Sequence, residues 1–234
     1  MDIVWTPDWL LRNLAYYSPD WLNALNQDCI RGLSEISHTL YQKYIVTSKV
    51  KDVYPNLLDV MLPFHLVKPT SCRCLLLTLR PYLTDYAGRL PISLKGDTEP
   101  TSTLEAMRSV YSEVFKEDLD YEEVIPAFYK RGILIFNASA TECRVYDPRY
   151  KFTFTHSNLW SKFIHPLCSL LTKAYGIPVI LAGEENWVYK AACEKNFVKC
   201  VLFPKPGETS ELSNTLKILF PPDKEDVYSQ PLQS

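Results

Sequence analysis

The chain has 234 residues, 47% hydrophobic and 22% charged, which is the composition of one globular domain with a sizeable core. Its net charge of −2 and pI near 6.1 exclude a dedicated, strongly basic nucleic-acid binder but leave room for a local basic patch. No apolar run approaches the roughly eighteen residues of a membrane helix, and Met1-Asp2-Ile3-Val4-Trp5 lacks the basic-then-apolar pattern of a secretory signal. The expectation is an intracellular chain with no membrane contact. Seven cysteines, an odd number, sit in apolar segments such as those of Cys72, Cys74, Cys168 and Cys200. They read as buried free thiols in a reducing compartment. Neither Cys72-Arg73-Cys74 nor Cys193 with Cys200 has zinc spacing, and His38, His65, His156 and His165 have none either. No metal or cofactor is therefore expected.

In chain order, residues 1–22 carry Trp5, Trp9 and Trp21 between Pro7 and Pro19. Thr6 or Asp8 could cap a short helix through Leu10, Leu11 and Leu14, and Ser18-Pro19-Asp20 starts another. The three tryptophans are candidate partner anchors, since buried aromatic anchors dominate interfaces. From Asp20 to Tyr44, Leu22, Leu25, Cys29, Leu33, Ile36 and Leu40 have helical spacing. Residues 51–73 read as a short helix and a connecting loop. An apolar strand follows at Leu75–Leu79, then a Gly-, Pro- and Asp-rich loop from Thr84 to Pro100. A helix is expected over Thr103–Phe115, capped by Ser102 or Thr103. Residues 126–132 approach a strand at Ile133–Asn137, and a loop spans 140–155. Further on come a helix at 157–175, a strand at Val179–Ala182, a helix at 185–194, a strand at 199–203 and a helix at 210–219. The tail from Pro221 reads as disordered.

Short apolar strands alternating with helices predict an α/β fold: a three-layer sandwich with a central four-stranded, mostly parallel sheet flanked by helices. Residues 1–50 form an expected N-terminal helical segment packed on a core domain of residues 51–220, with 221–234 as the tail. In such sheets ligands bind at the carboxyl ends of the strands. No phosphate-binding glycine motif, P-loop or nucleophile elbow is present.

The residues at those strand ends, in order, resemble the uracil-DNA glycosylases of family 1, in particular the large-DNA-virus (herpesvirus-type) branch. In that family the first strand ends in Gly-Gln-Asp-Pro-Tyr-His, the second in Leu-Leu-Leu-Asn and the fourth in His-Pro-Ser-Pro. Here the three stretches are Thr78-Leu79-Arg80-Pro81-Tyr82-Leu83, Ile133-Leu134-Ile135-Phe136-Asn137 and Phe203-Pro204-Lys205-Pro206. Tyr54-Pro55, Pro100 to Leu104, Phe128 to Leu134, His156-Ser157 with Trp160, and Ala182-Gly183 resemble further family segments. The likeness covers about residues 50–215.

The resemblance implies a base pocket of Pro81, Tyr82, Ile92 and Asn137. Tyr82 stands at the tyrosine that excludes thymine's methyl group, and Asn137 at the asparagine that reads uracil's Watson–Crick edge. Arg80 stands where the family has the aspartate that orients water and stabilises the sugar cation. Arginine stays protonated, so it is no base. Phe203 stands at the histidine that stabilises the departing uracil anion and has no donor to offer. Ile92 replaces the stacking phenylalanine and Gly207 the leucine wedge. From these departures the expectation is a non-enzyme: a glycosylase-like DNA- or protein-binding subunit of a viral replication (polymerase accessory) or transcription complex, in the host nucleus. Protein partners from that machinery are expected, with DNA contact through Arg80, Arg89, Lys95 and Lys205, and no small-molecule substrate. One alternative is a divergent glycosylase retaining base-excision repair activity through Asp85 and His156. The other is a protein scaffold without DNA contact.

Overall fold

A computed structural model of the chain describes residues 6–43, 50–54, 59–78, 92, 94–95, 99–145, 153–155, 157–207 and 210–221. Their helices are α1 (Trp9–Tyr17), α2 (Pro19–Ala24), α3 (Gln27–Tyr41), α4 (Leu62–Leu66), α5 (Ser102–Phe115), α6 (Tyr121–Lys130), α7 (Ser157–Ser169) and α8 (Glu211–Leu219). Their strands are β1 (Val50–Tyr54), β2 (Cys74–Thr78), β3 (Leu94–Lys95), β4 (Glu99–Pro100), β5 (Ile133–Asn137), β6 (Glu142–Val145), β7 (Thr153–Thr155), β8 (Val179–Ala182) and β9 (Val198–Val201).

Four strands form the central sheet in the order β5-β2-β8-β9, and every neighbouring pair is parallel. This is the expected α/β fold with a four-stranded parallel sheet between helices. β2 and β5 are buried along their whole length because helices cover both faces, which is why their sequences run apolar without alternation. β2 is central: the chain adds β5 on one side of it, then crosses back to add β8 on the other. By the general rule for such sheets, that reversal marks the carboxyl end of β2 as the expected place for a ligand crevice.

The helices form by local signals and lock by packing. Asn26 caps α3 by accepting from Cys29 N at 3.0 Å. The buried stripe of α3 is Cys29, Gly32, Leu33, Ile36, Ser37 and Leu40. A Cβ on Gly32 would lie 2.2 Å from Lys162 O of α7, so the two backbones touch there. Pro166 lies inside α7 and has no N–H to give Lys162 O, which leaves that carbonyl to face Gly32. α5 is capped by Thr101, whose hydroxyl accepts from Leu104 N at 3.2 Å, one residue before the expected cap. Phe64, Phe136, Trp160 and Phe163 pack edge-on or tilted at the centre of the core.

Several expectations are corrected. Residues 50–54 form strand β1, which pairs antiparallel with β6, and β6 with β7, inside the stretch read as a loop. Residues 121–130 form α6, with Pro126 in its second turn; the proline obscures the helix in the sequence. Glu184–Ala192 is a 3₁₀ helix, and α7 widens into a π-helical turn at Leu170–Ala174, where Tyr175 N reaches Leu170 O at 3.3 Å. Trp9 and Trp21 are 0% and 1% exposed, so they are pillars of this chain's own core and not surface anchors. Trp5 and the tail from residue 222 lie outside the described residues.

Candidate functional site

The register of β2 and β5 places Thr78 directly opposite Asn137, the last pair of the ladder. Thr78 Oγ1 donates to Asn137 Oδ1 at 2.6 Å and lies 3.3 Å from Phe136 O. The shorter contact has the length of an O–H···O bond, so the carbonyl end of the amide is engaged by the hydroxyl. Among the described residues no acceptor engages the nitrogen end of Asn137, which makes it one donor at this edge. Both residues are buried, at 3% and 5% exposure. The chain after β5 stays buried through Thr141, where Ser139 Oγ donates to Thr141 O at 3.2 Å and Trp160 Nε1 to Thr141 Oγ1 at 2.8 Å.

On the other side of β2, Gly183 turns the chain out of β8 with φ +90°, while its N–H still donates to Val201 O at 2.9 Å. The 3₁₀ helix that follows brings Asn186 back under the sheet edge. Its Nδ2 donates to Ala182 O at 2.8 Å and to Leu77 O at 3.2 Å, joining the ends of β8 and β2. Beyond β9, Phe203 packs half-buried on the core, Pro204 is buried, and Lys205 is exposed. Gly207 has φ +77° and open space around the position of a Cβ.

The carboxyl end of the sheet thus carries Thr78, Asn137, Ser139, Thr141 and Asn186, neutral hydroxyls and amides held in place by bonds to one another and to neighbouring main chain and side chains. Ile92 is buried at 3% within the core. Lys95 is in β3, which pairs with β4, and its side chain is not among those described. Arg80, Pro81, Tyr82, Asp85, Arg89 and His156 lie outside the described residues. Sequence pattern does not single out Thr78 or Asn186; the one available signal is that each adjoins a strand end. Among the described residues no group of His, Cys, Asp and Glu is arranged to hold a metal ion, and no helix is long and apolar enough to cross a membrane.

A separate open groove of about 410 Å³ lies between α3 and α7. Four of the charges that line it form two pairs, Arg31 with Asp28 and Lys162 with Glu35 at 2.6 Å, and Lys173 lines it as well.

No protein-family model matches the sequence, and no curated protein matches it significantly. Solved structures do match the fold. The chain is similar to mimivirus uracil-DNA glycosylase with a TM-score of 0.56 and 12% identity, over 81% of this chain and 69% of that one. It is similar to the wild-type UNG of Nitratifractor salsuginis with a TM-score of 0.55 and 16% identity, over 91% of this chain and 96% of that one. A mimivirus UNG variant in complex with UGI matches with a TM-score of 0.55 and 13% identity, over 87% of this chain and 72% of that one. At these identities the likeness establishes a uracil-DNA glycosylase-like fold, without singling out the herpesvirus-type branch. It also overturns the expectation of a non-enzyme. The solved structures that share this fold are uracil-DNA glycosylases, and against them the substitutions at Arg80 and Phe203 do not by themselves establish a non-enzyme.

Proposed function

We propose that the chain is a divergent uracil-DNA glycosylase, hydrolysing the bond between uracil and deoxyribose in DNA. The observation that carries this reading is the hydrogen-bonded pair of Thr78 and Asn137 at the switch-point crevice of a glycosylase-like fold. With its Oδ1 engaged, the Asn137 amide donates toward a base carbonyl, as uracil's O4 requires. In this reading Pro81, Tyr82, Ile92 and Asn137 form the base pocket, with Tyr82 excluding thymine.

Neither Arg80 nor Phe203 can take the acid–base roles, so other groups carry the chemistry. Asp85 is the carboxylate that orients the attacking water and steadies the cation developing on the sugar. His156 is the imidazole that stabilises the departing uracil anion. Arg80, Arg89, Lys95 and Lys205 contact phosphates, which makes binding salt-dependent. A repair glycosylase works where DNA is copied, and this places the protein beside replication or transcription machinery, in the host nucleus for a viral chain.

The test is uracil release from uracil-containing single- and double-stranded DNA. Release is expected from the wild type, absent in Asp85→Ala and lowered roughly 100-fold in Asn137→Ala. No release by the wild type from either substrate at enzyme excess sinks the reading.

A further inference from the structure

The 3₁₀ helix Glu184–Ala192 repeats every three residues, so its side chains fall on three lines. The line of Asn186 and Tyr189 faces inward, at 2% and 3% exposure. Asn186 ties it to Leu77 O and Ala182 O, and the Tyr189 ring stands edge-on to His165 of α7 at 4.8 Å. The helix is thus pinned along one side, to the end of β2 and to α7. The outer lines carry Glu184, Trp187 and Lys190, and Glu185 and Val188, all exposed. Trp9, Trp21 and Trp160 are at most 1% exposed, whereas Trp187 is 39% and Val188 65% exposed.

Position and chemistry give this indole a role. It follows Asn186 in the chain, and Asn186 Nδ2 lies 3.2 Å from Leu77 O, one residue before Thr78. An exposed ring is therefore held by a fixed element at the carboxyl edge of the sheet. An enzyme that draws a base out of the stack leaves the neighbouring base without a partner, and an aromatic face restores that stacking. Gly207, beyond β9, has open space where a side chain would be and offers no ring. Lys190 lies about 6 Å from Trp187 along the helix axis, on the same line, where an ammonium meets a phosphate. Glu184 and Glu185 repel phosphates at the other end of the helix, which turns the sugar–phosphate chain toward Lys190 and leaves a base for the ring. Two exposed side chains are far short of the roughly 800 Å² per partner that a stable protein interface covers, whereas one indole matches one base.

We propose that Trp187 stacks on the nucleotide next to the uracil in single-stranded DNA, with Lys190 on a phosphate of that strand. The inference rests on the glycosylase reading above and adds to it a contact outside the base pocket. Stacking accepts any base, so Trp187 strengthens binding without reading the neighbour's identity. Its contribution falls on the affinity for DNA, and the rate at saturating DNA stays with the groups at the sugar and the uracil.

The experiment compares two single-stranded oligonucleotides on the full-length protein: one with a single uracil among ordinary nucleotides, the other with abasic sites on both sides of the uracil. Binding is read by fluorescence anisotropy with the uracil's sugar fluorinated so that its glycosidic bond is inert, and uracil release is read with ordinary deoxyuridine. The wild type is expected to bind the first roughly 10-fold more tightly than the second. Trp187→Ala is expected to bind both equally weakly, with its rate of release at saturating DNA unchanged, and Trp187→Phe to keep most of the preference. Lys190→Gln is expected to lower the salt slope of binding by about 0.7. Equal binding of the two oligonucleotides by the wild type, or no binding of either, overturns the proposal, and neither result depends on a variant folding. A preference that survives in Trp187→Ala also overturns it and leaves the ring to a protein interface. A preference that Trp187→Ala abolishes, in a protein that releases no uracil, upholds the stacking contact and removes the glycosylase reading alone.

Discussion

At the amino end of the parallel sheet, Gly132 O accepts from Arg73 N at 2.8 Å and Cys74 N at 3.3 Å, and Pro178 O accepts from Leu75 N at 2.9 Å. Main chain closes that end. The Arg73 guanidinium lies 4.4 Å over the Phe220 ring, and Arg131, paired with Glu117, lies 4.8 Å over Phe115. At the carboxyl end the closing groups are side chains: Thr78 on Asn137, and Asn186 on Leu77 O and Ala182 O. Backbone closure leaves nothing for a ligand to read, whereas buried amides and hydroxyls keep donors and acceptors in fixed places. The difference assigns backbone closure to one end and, on the proposed function, recognition to the other.

Three changes break or sharpen that contrast. The largest effect is expected for Gly132→Ala at the amino end. Gly132 has φ +80°, and its new Cβ would lie 2.2 Å from Ser71 O, so the backbone must shift. A loss of roughly 3 kcal/mol or more is expected in chemical denaturation, with the per-molecule activity of the folded fraction unchanged. At the carboxyl end, Asn186→Ala strips Leu77 O and Ala182 O of their shared donor. A cost of about 2 kcal/mol is expected by the same measurement, together with a fall in uracil release. Equal activity in this variant and the wild type would erase the distinction between the two ends.

The smallest effect concerns α8, which leads into Phe220 beneath Arg73. Lys217 Nζ donates to Glu113 Oε1 at 2.7 Å, and this bond, with one from Ser213, holds the Glu113 carboxyl below its ordinary range. Because the folded value is the lower one, the contribution is present above the unfolded carboxylate value and fades as pH falls through the folded value. Glu113 is partly exposed, so solvent screening limits the pair to about 0.5 kcal/mol. The stability-versus-pH curves of the wild type and Glu113→Gln are expected to differ at neutral pH and converge in acid.

Much of the fold is legible where the pattern is local. Val179–Ala182 reads as a strand and is one; Leu75 to Leu77 and Ile133 to Asn137 mark the two central strands; the stripe from Cys29 to Leu40 marks α3. α6 is hidden because Pro126 and Gly132 read as breakers, although a proline in the second turn removes only one hydrogen bond. β1 is hidden because its partner is β6, far along the chain, and no local signal records such a pairing. The tryptophans show the limit of residue type: Trp9 and Trp21 look like anchors until their burial is known.

The sequence by itself determined that apolar strands alternate with helices, and so that the sheet is parallel, with the carboxyl edge as the expected place for a site. It also placed Asn137 at the end of one strand. Tertiary structure alone decided that β2 lies between β5 and β8, and this sets Thr78 against Asn137 across a separation of 59 residues and Asn186 against Leu77 across 109. Strand formation and helix capping answer to neighbours along the chain, whereas the crevice depends on register between distant strands. Substitutions taken one residue at a time give the expectation of a non-enzyme, and the assembled fold, shared with solved uracil-DNA glycosylases, overturns it as a conclusion from residues alone.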